Sequence, residues 1–406
     1  MPSDFQRRFA EELRSDLRAL AARDQHRTLA EISGVNLCSN DYLGLAQNAV
    51  LREAVADAVA HCSRVAGTGS RLLSGHADVW DDLENEFSEF AGTESALYFG
   101  SGYAANIGLL TSLAGRDDVI FSDALNHASL IDGIRLSGAQ KEIYAHVDLN
   151  LLESALRRYE GHGGRKFIVT ETVFSMDGDV APLAQILALA DRYGAAVILD
   201  EAHATGVHGP GGRGISADYR EGADHIVAVV HTCGKALASA GAFVCGGEPL
   251  KSHLINHARS FLFTTALPPY MARQVSAALA LARAMDPERA ALQRNSRQLN
   301  ATLRAQGWDA SASSSQIIPV IIGENEDALA AAEFLRRNNF AVRAIRPPTV
   351  PAGTARLRFS LTAAIATGEL FRLAESLQRW RTDFGGAQHA ASHLGNPRSA
   401  ERVLHS

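Results

Sequence analysis

The sequence has little of three features that would each define a class of protein. Its 406 residues include 4 cysteines, at positions 38, 62, 233 and 245, and no CxxC pair, so we expect reduced, mostly buried thiols and no metal site. The longest apolar runs, 195–199 and 277–282, are far shorter than the ~18 residues of a membrane-spanning helix. Basic residues form no dense block, and the net charge is −6. This argues against nucleic acid and membrane partners and favours a cytoplasmic protein.

A fourth absence concerns nucleotide binding. The chain contains no GxxxxGK[ST] phosphate loop, although residues 200–203 spell Asp-Glu-Ala-His, the tetrad of helicase-type ATPases. Without that loop a magnesium-bound nucleotide has no cradle. An ATPase is therefore kept only as an alternative from a different class.

The composition is that of an ordinary folded protein. Hydrophobic residues make up 46% of the chain and charged residues 21%. At ~150 residues per domain, this length predicts two domains. Phe5, Phe9, Leu13, Leu17 and Leu20 recur at helical spacing, which predicts an amphipathic N-terminal helix that packs on something, with a partner subunit as one candidate.

Between about residues 90 and 250, short β-rich runs alternate with helical patterns. This rhythm predicts βαβ units, and hence a mainly parallel sheet covered by helices on both faces. The predicted strands are 96–99, 119–122, 167–172, 196–199 and 226–230, and the predicted helices are 104–113, 128–137 and 183–193.

After Pro268-Pro269 the pattern changes to a smaller α/β unit. A long helical tract broken near Asp286-Pro287 is followed by predicted strands at 317–322, 341–345 and 357–361 and helices at 328–337 and 369–380. We divide the chain into an N-terminal arm (1–45), a large domain (46–267), a small domain (268–385) and a flexible tail (386–406).

Three short segments carry candidate chemistry. The first, residues 100–106, is a small-residue turn between a strand and a helix. Free N–H groups and the positive end of the helix dipole suit such a turn to anion binding. Most Gly-rich turns bind nothing, so this segment alone is weak support.

The second segment is the end of the apolar strand near residue 199. Ligands in open α/β sheets lie beyond the carboxyl ends of the strands, which is where Asp200 and His203 fall. We interpret Glu201 as a structural carboxylate.

The third segment, 232–237, places Lys235 among small and apolar residues after a predicted strand. Burial lowers the pKa of a lysine and makes its neutral amine available for reaction with a carbonyl group. Taken alone, a lysine such as Lys235 more often extends its amine into solvent.

Together, a phosphate cradle, a strand-end aspartate and a downstream lysine are the parts that hold pyridoxal 5′-phosphate. From about Asn40 to Ala363 the chain resembles the α-oxoamine synthases, fold-type I pyridoxal-phosphate enzymes that condense an amino acid with an acyl thioester and release carbon dioxide. The resemblance implies a large domain with a seven-stranded, mainly parallel sheet between helices, and a smaller α/β C-terminal domain. The matching segments are 40–44 (NDYLG), 69–76 (GSRLLSGH), 127–130 (HASL), 174–179 (FSMDGD), 200–203 (DEAH), 232–235 (TCGK) and 264–269 (TTALPP).

The resemblance implies a role for each matching residue. Lys235 would bind the cofactor covalently and then take the Cα proton, Asp200 would pair with the pyridinium nitrogen, and His203 would lie beside the phenolic oxygen. His127 would stack on the ring and contact the substrate. The implied phosphate contacts are Gly102, Tyr103, Ser175 and Thr232, and Thr264 or Thr265 would reach the phosphate of a neighbouring subunit, which implies a homodimer with shared active sites.

Substrate contacts follow from the same resemblance. Arg358, aided by Asn40, resembles the clamp on the amino-acid carboxylate, Thr349 resembles a substrate contact, and Arg27 resembles an arginine that meets the distal carboxylate of a pimeloyl chain. Segments 127–133 and 344–351 look most like the branch that condenses L-alanine with pimeloyl-CoA or a pimeloyl-carrier protein in biotin synthesis. The branch that uses glycine and acetyl-CoA, and a non-catalytic protein that binds the cofactor, remain alternatives.

Overall fold

The computed structural model describes residues 2–219, 223–310 and 313–384. The strands are β1 (Val35–Asn36), β2 (Ser95–Phe99), β3 (Val119–Asp123), β4 (Gln140–Tyr144), β5 (Lys166–Glu171), β6 (Ala196–Asp200), β7 (Ile226–Thr232), β8 (Ala242–Gly246), β9 (Ile317–Gly323), β10 (Phe340–Ala341), β11 (Ala344–Ile345) and β12 (Ala355–Ser360). The helices are α1 (Asp4–Ala21), α2 (Ala49–His61), α3 (Asp78–Ala91), α4 (Gly102–Leu113), α5 (Ala128–Ser137), α6 (Leu149–Arg158), α7 (Leu183–Tyr193), α8 (Glu248–His257), α9 (Arg259–Leu262), α10 (Tyr270–Arg283), α11 (Asp286–Ala305), α12 (Asn325–Arg337) and α13 (Thr367–Phe384).

The larger sheet has seven strands in the order β2-β8-β7-β6-β5-β3-β4. All neighbouring strands run parallel except β8, which runs antiparallel to both β2 and β7. The sequence pattern predicted the mainly parallel sheet but gave no strand for β4 or β8. β4 is half exposed and charged, so it lacks the apolar run on which the other strands were recognised.

Both faces of this sheet are covered, as the βαβ rhythm predicted. In β3, Ile120 packs on one face with Leu109 of α4 and Ile134 of α5, whereas Phe121 packs on the other face with Leu152 of α6. Successive side chains of a strand point to opposite faces, so a strand that is buried on both faces must be apolar throughout. This burial fixes the sheet register, and the register determines which residues meet at the carboxyl edge.

A second, antiparallel sheet has the strand order β11-β12-β9 and packs against helices of the C-terminal part. The N-terminal arm reaches this part through β1, which pairs with β10. Beyond β1, the N–H of Ser360 donates to the carbonyl of Leu37 at 2.9 Å. These contacts bring Asn40 to β12, which carries Arg358. The domain boundaries at 45, 267 and 385 stay predictions, and the tail lies outside the described residues.

The N-terminal helix forms as predicted, and its packing on a partner subunit stays a prediction, because nothing in the described part of this chain covers it. α1 has no buried residue, and Phe5 is 69% exposed. The chain folds away from the helix, so its apolar stripe finds no partner among the described residues. Cys233 and Cys245 are buried, Cys38 and Cys62 are half-buried, and all are free thiols. Among the described helices, none is long and apolar enough to cross a bilayer.

Gly241, at the start of β8, gives a test of local packing. Its φ is +84°, and a Cβ there would lie 2.1 Å from the Tyr98 hydroxyl oxygen. We expect Gly241→Ala to lower the free energy of unfolding of the apoprotein by about 3 kcal/mol in urea denaturation, because left-handed strain and overpacking add.

Gly194→Ala is the matched control. Gly194 has a φ of +61° but no heavy atom within 4 Å of its would-be Cβ. The strain alone should cost about 1 kcal/mol. Equal losses in the two variants would contradict the packing argument.

Candidate active site

The carboxyl ends of the parallel strands surround a cavity of about 260 Å³. Seven residues singled out from the sequence line it together: Gly102, Tyr103, His127, Asp200, His203, Thr232 and Lys235. For Asp200 and His203, this is the position that the strand-end rule for α/β sheets predicted.

Lys235 lies in this cavity on the loop that follows β7. Its Nζ is 2.9 Å from Nε2 of His203. Burial lowers the pKa of Lys235 to about 8, although the charge of Asp200 opposes the shift. A substantial fraction of this amine is therefore neutral near physiological pH, which allows it to attack a carbonyl group and to accept a proton.

His203 connects the lysine to a tyrosine that the sequence analysis did not single out. The hydroxyl of Tyr42 lies 2.6 Å from Nδ1 of His203 and 3.2 Å from Oδ1 of Asn40. Burial holds the pKa of His203 well below its ordinary range and raises that of Tyr42. Both groups are therefore neutral, and they can orient the lysine without adding charge.

Asp200 ends β6 and is held by two donors. The N–H of Ala202 donates to its Oδ1 at 2.8 Å, and Nδ2 of Asn106 donates to its Oδ2 at 2.7 Å. Asn106 also donates to Oγ of Ser129 at 2.9 Å. These donors fix the orientation of the carboxylate. An anion fixed at this point can keep a pyridine nitrogen protonated.

His127 is set in place by the first turn of α5. The N–H of Ser129 donates to Nδ1 of His127 at 3.2 Å, which leaves Nε2 to carry the ring proton. Burial lowers the pKa of His127. A neutral ring on the cavity wall suits contact with a flat aromatic group.

The anion cradle is formed where α4 begins. Ser101 caps this helix by accepting the N–H of Ala104 at 3.1 Å. A Cβ on Gly102 would lie 2.6 Å from Cγ2 of Thr232, so only glycine allows the helix end to approach that threonine. Gly102 and Thr232 both line the cavity, where the N–H groups of a helix N-terminus and a threonine hydroxyl can bind a phosphate.

Arg358 and Asn40 meet next to the cavity. Nε of Arg358 donates to the carbonyl oxygen of Ser175 at 2.6 Å, and both terminal nitrogens lie 3.3 Å from Oδ1 of Asn40. The guanidinium is buried, and within the described part of the chain its terminal nitrogens make long contacts with Asn40. It therefore has donors available for a carboxylate.

Seven predicted residues do not line the cavity. Three of them, Ser175, Asn40 and Arg358, contact one another next to it, and the other four lie apart from it. Thr264 and Thr265 are exposed and line a separate cleft with Arg71 and Trp80. Arg27 and Thr349 are exposed and lie at the turn 346–349, where Nη2 of Arg27 donates to the carbonyl of Pro347 at 3.4 Å. Within one chain, these residues are not part of the lysine site.

The comparisons with known proteins agree with this arrangement. The model of the aminotransferase class I and II family matches residues 32–377. This chain belongs to that family. The 8-amino-7-oxononanoate synthase of Burkholderia mallei is 47% identical over 358 residues, which cover 87% of this chain and 90% of that protein.

Two solved structures are similar to the whole fold. Serine palmitoyltransferase of Sphingomonas wittichii superposes with a TM-score of 0.84 at 29% identity, covering 94% of this chain and 99% of its own. An 8-amino-7-oxononanoate synthase from Francisella tularensis superposes with a TM-score of 0.73 at 29% identity, covering 86% of this chain and 98% of its own. The predicted fold type and the resemblance to the α-oxoamine synthases are confirmed, and within its aminotransferase family the chain is an α-oxoamine synthase.

The residues of the cavity fit pyridoxal 5′-phosphate, the cofactor of this family. A poised amine, a fixed carboxylate and a helix N-terminus closed by Gly102 match its aldehyde, its ring nitrogen and its phosphate respectively. The individual roles of the site residues remain proposals that rest on this geometry.

His146 is a residue that the sequence analysis missed. Its Nδ1 lies 2.8 Å from Oδ1 of Asp123, at the end of β3, and its Nε2 lies 2.7 Å from Oδ2 of Asp179. Asp123 begins the loop that leads to His127, and Asp179 closes the loop that carries Ser175. His146 therefore ties together two loops of the site, and no local spacing in the sequence reveals this.

The charge of His146 makes this contact dependent on pH. Burial opposes the charged form, but the hydrogen bonds with Asp123 and Asp179 outweigh it and raise the pKa to about 10. The stabilisation is fully present below the unfolded pKa of ~6.5 and is lost as the pH rises through about 10.

We therefore expect His146→Gln to lower the free energy of unfolding by about 3 kcal/mol at pH 6. The difference in the free energy of unfolding between His146→Gln and the wild type should become smaller towards pH 10. Urea denaturation across this range measures it. His208→Gln is the control, since burial lowers the pKa of His208 and keeps it neutral above pH 7. A gap for His146→Gln that does not change with pH would contradict the charged bridge.

Proposed function

We propose that this chain condenses L-alanine with a pimeloyl thioester, either pimeloyl-CoA or a pimeloyl-carrier protein, in biotin biosynthesis. The products are 8-amino-7-oxononanoate, carbon dioxide and the free thiol carrier. The observation that carries the catalytic part is the buried Lys235 amine, 2.9 Å from His203 in a cavity with Asp200. The choice of substrates is supported by the relatives that bear this enzyme name.

In the reaction, a bond forms between Cα of alanine and the thioester carbonyl carbon, and the thiolate leaves. The alanine carboxylate then departs as carbon dioxide, and Cα is protonated again. Bound pyridoxal phosphate supplies the electron sink for the charge that develops at Cα.

Residues of the chain bind the substrate, transfer the proton and supply the fixed charge. Arg358 and Asn40 bind the alanine carboxylate, and this orients the Cα–H bond towards Lys235. Lys235 takes the Cα proton, which its lowered pKa permits, and later returns one. Asp200 supplies the fixed negative charge at the ring nitrogen, and the buried site excludes water from the developing carbanion.

A homodimer fits the exposed residues. Leu73 is 84% exposed and Phe263 is 71% exposed, and each is within two residues along the chain of a residue that lines the cleft of Thr264 and Thr265. Exposed large apolar side chains, where they cluster, mark an interaction surface. We infer that these threonines serve the active site of a second subunit, and that the enzyme works as a cytoplasmic homodimer.

The test is a comparison of substrate pairs. With added pyridoxal phosphate, we expect carbon dioxide release from L-alanine and pimeloyl-CoA at a rate at least tenfold above that from glycine and acetyl-CoA. L-serine with palmitoyl-CoA tests the alternative that the similar fold of serine palmitoyltransferase suggests. A preference for either other pair would overturn the proposed substrates and leave the family unchanged.

Two variants separate chemistry from recognition. Lys235→Ala should abolish turnover while the thermal unfolding of the apoprotein remains cooperative, because the amine is the proposed base. Normal turnover by Lys235→Ala would refute the mechanism.

Arg27→Ala should raise KM for the pimeloyl thioester and leave KM for alanine unchanged, because Arg27 is assigned to the distal carboxylate.

A further inference from the structure

A second carboxyl group, that of Glu171, lies on the wall of the catalytic cavity beside Asp200. Glu171 ends β5 and is the register partner of Asp200 on β6. Both side chains line the cavity, and Glu171 is only 2% exposed. Two carboxyl groups therefore face one small space from neighbouring strands.

The two carboxyl groups differ in the hydrogen bonds that they accept. Asp200 accepts hydrogen bonds from Asn106 and from the N–H of Ala202. Oε1 of Glu171 is buried and has no hydrogen-bond partner among the described residues. An ionised carboxylate oxygen without a donor is costly at this depth, whereas a protonated carboxyl group is tolerated much better.

The charges around Glu171 act in the same direction. Burial and then the negative charge of Asp200 raise the pKa of Glu171 well above its ordinary range. Lys235 and the backbone N–H groups of His127 and Ser175 favour the ionised form, but they do not offset these effects.

We propose that Glu171 is a positioning residue that works as a neutral carboxylic acid, offering its O–H inside the cavity and leaving the anionic role to Asp200. As a donor and acceptor that carries no charge, it can contact the bound cofactor without competing with Asp200 for a cation.

Neutrality of Glu171 also matters for the base. A negative charge at Glu171 raises the pKa of Lys235. With two anions in the cavity, Lys235 would hold its proton more tightly and would be a poorer acceptor for the Cα proton. A protonated Glu171 therefore keeps Lys235 available at working pH. The inference rests on the cofactor and on Lys235, and not on the identity of the acyl substrate.

The test compares Glu171→Gln with Glu171→Leu. Glutamine keeps a neutral donor and acceptor, whereas leucine keeps the approximate size and removes both. We measure the affinity for pyridoxal phosphate by titration, and the pH midpoint of its attachment to Lys235 by visible absorbance, with no substrate present. We expect leucine to weaken cofactor affinity about tenfold and glutamine to restore it to within about twofold, with an unchanged pH midpoint.

A second measurement detects the carboxyl proton of Glu171 directly. Infrared difference spectra of the apoprotein at pH 8 should show the stretch of a protonated carboxyl group that Glu171→Gln removes. Glu201→Gln is the matched control. Glu201 is also fully buried, and its Oε2 also has no partner among the described residues. Its Oε1, however, accepts the N–H of Ser216 at 2.6 Å, the side chain lies outside the cavity, and burial raises its pKa only to about 7. We therefore expect Glu201→Gln to leave the protonated signal in place.

Each outcome decides the proposal. Absence of the protonated signal, or a shifted pH midpoint in Glu171→Gln, would show an ionised Glu171 and overturn it. Cofactor affinity equal to wild type in Glu171→Leu would show a merely structural residue and also overturn it. If the leucine variant does not fold, the glutamine variant and the infrared signal still give the answer. None of these readouts requires alanine or a pimeloyl thioester, so a wrong substrate assignment would leave them unchanged.

Discussion

The site depends on the desolvation of one amine. Lys235 is buried on the loop after β7, and burial is what lowers its pKa to about 8 despite the nearby charge of Asp200. A lysine in water would carry its proton almost completely at neutral pH. The seven-stranded sheet, the helices on both faces and the cavity at its carboxyl edge supply the surroundings that bury the amine.

The residues in hydrogen-bonded series with Lys235 are neutral, so they do not counteract its lowered pKa. His203 and Tyr42 reach Lys235 in a hydrogen-bonded series, and burial keeps both uncharged. The charged groups are held by other residues: Asp200 by Asn106, and Arg358 by the carbonyl of Ser175 and by Asn40, which also contacts Tyr42. The cavity thus separates a neutral base from an anion for the ring nitrogen and a cation for the substrate carboxylate.

Sequence pattern predicted the parts of this arrangement that follow from local rules. Asp200, His203 and Lys235 follow apolar strands, so the strand-end rule placed them at one edge. Glu171 was missed because it reads as the end of an ordinary strand, and its meaning comes from register with Asp200. His146 was missed because its partners, Asp123 and Asp179, are distant in sequence. The stripe on α1 was recognised, but periodicity alone cannot say what covers it.

The most direct test is the titration of the Lys235 amine itself. The lysines of the chain are Lys141, Lys166, Lys235 and Lys251, so carbon-13 labelling at lysine Cε gives a simple spectrum, and Lys235→Ala identifies the signal of Lys235. In the apoprotein, the account predicts a midpoint near pH 8 for that signal. A midpoint near the ~10.4 of a lysine in water would show that burial does not tune the amine, and would contradict the account.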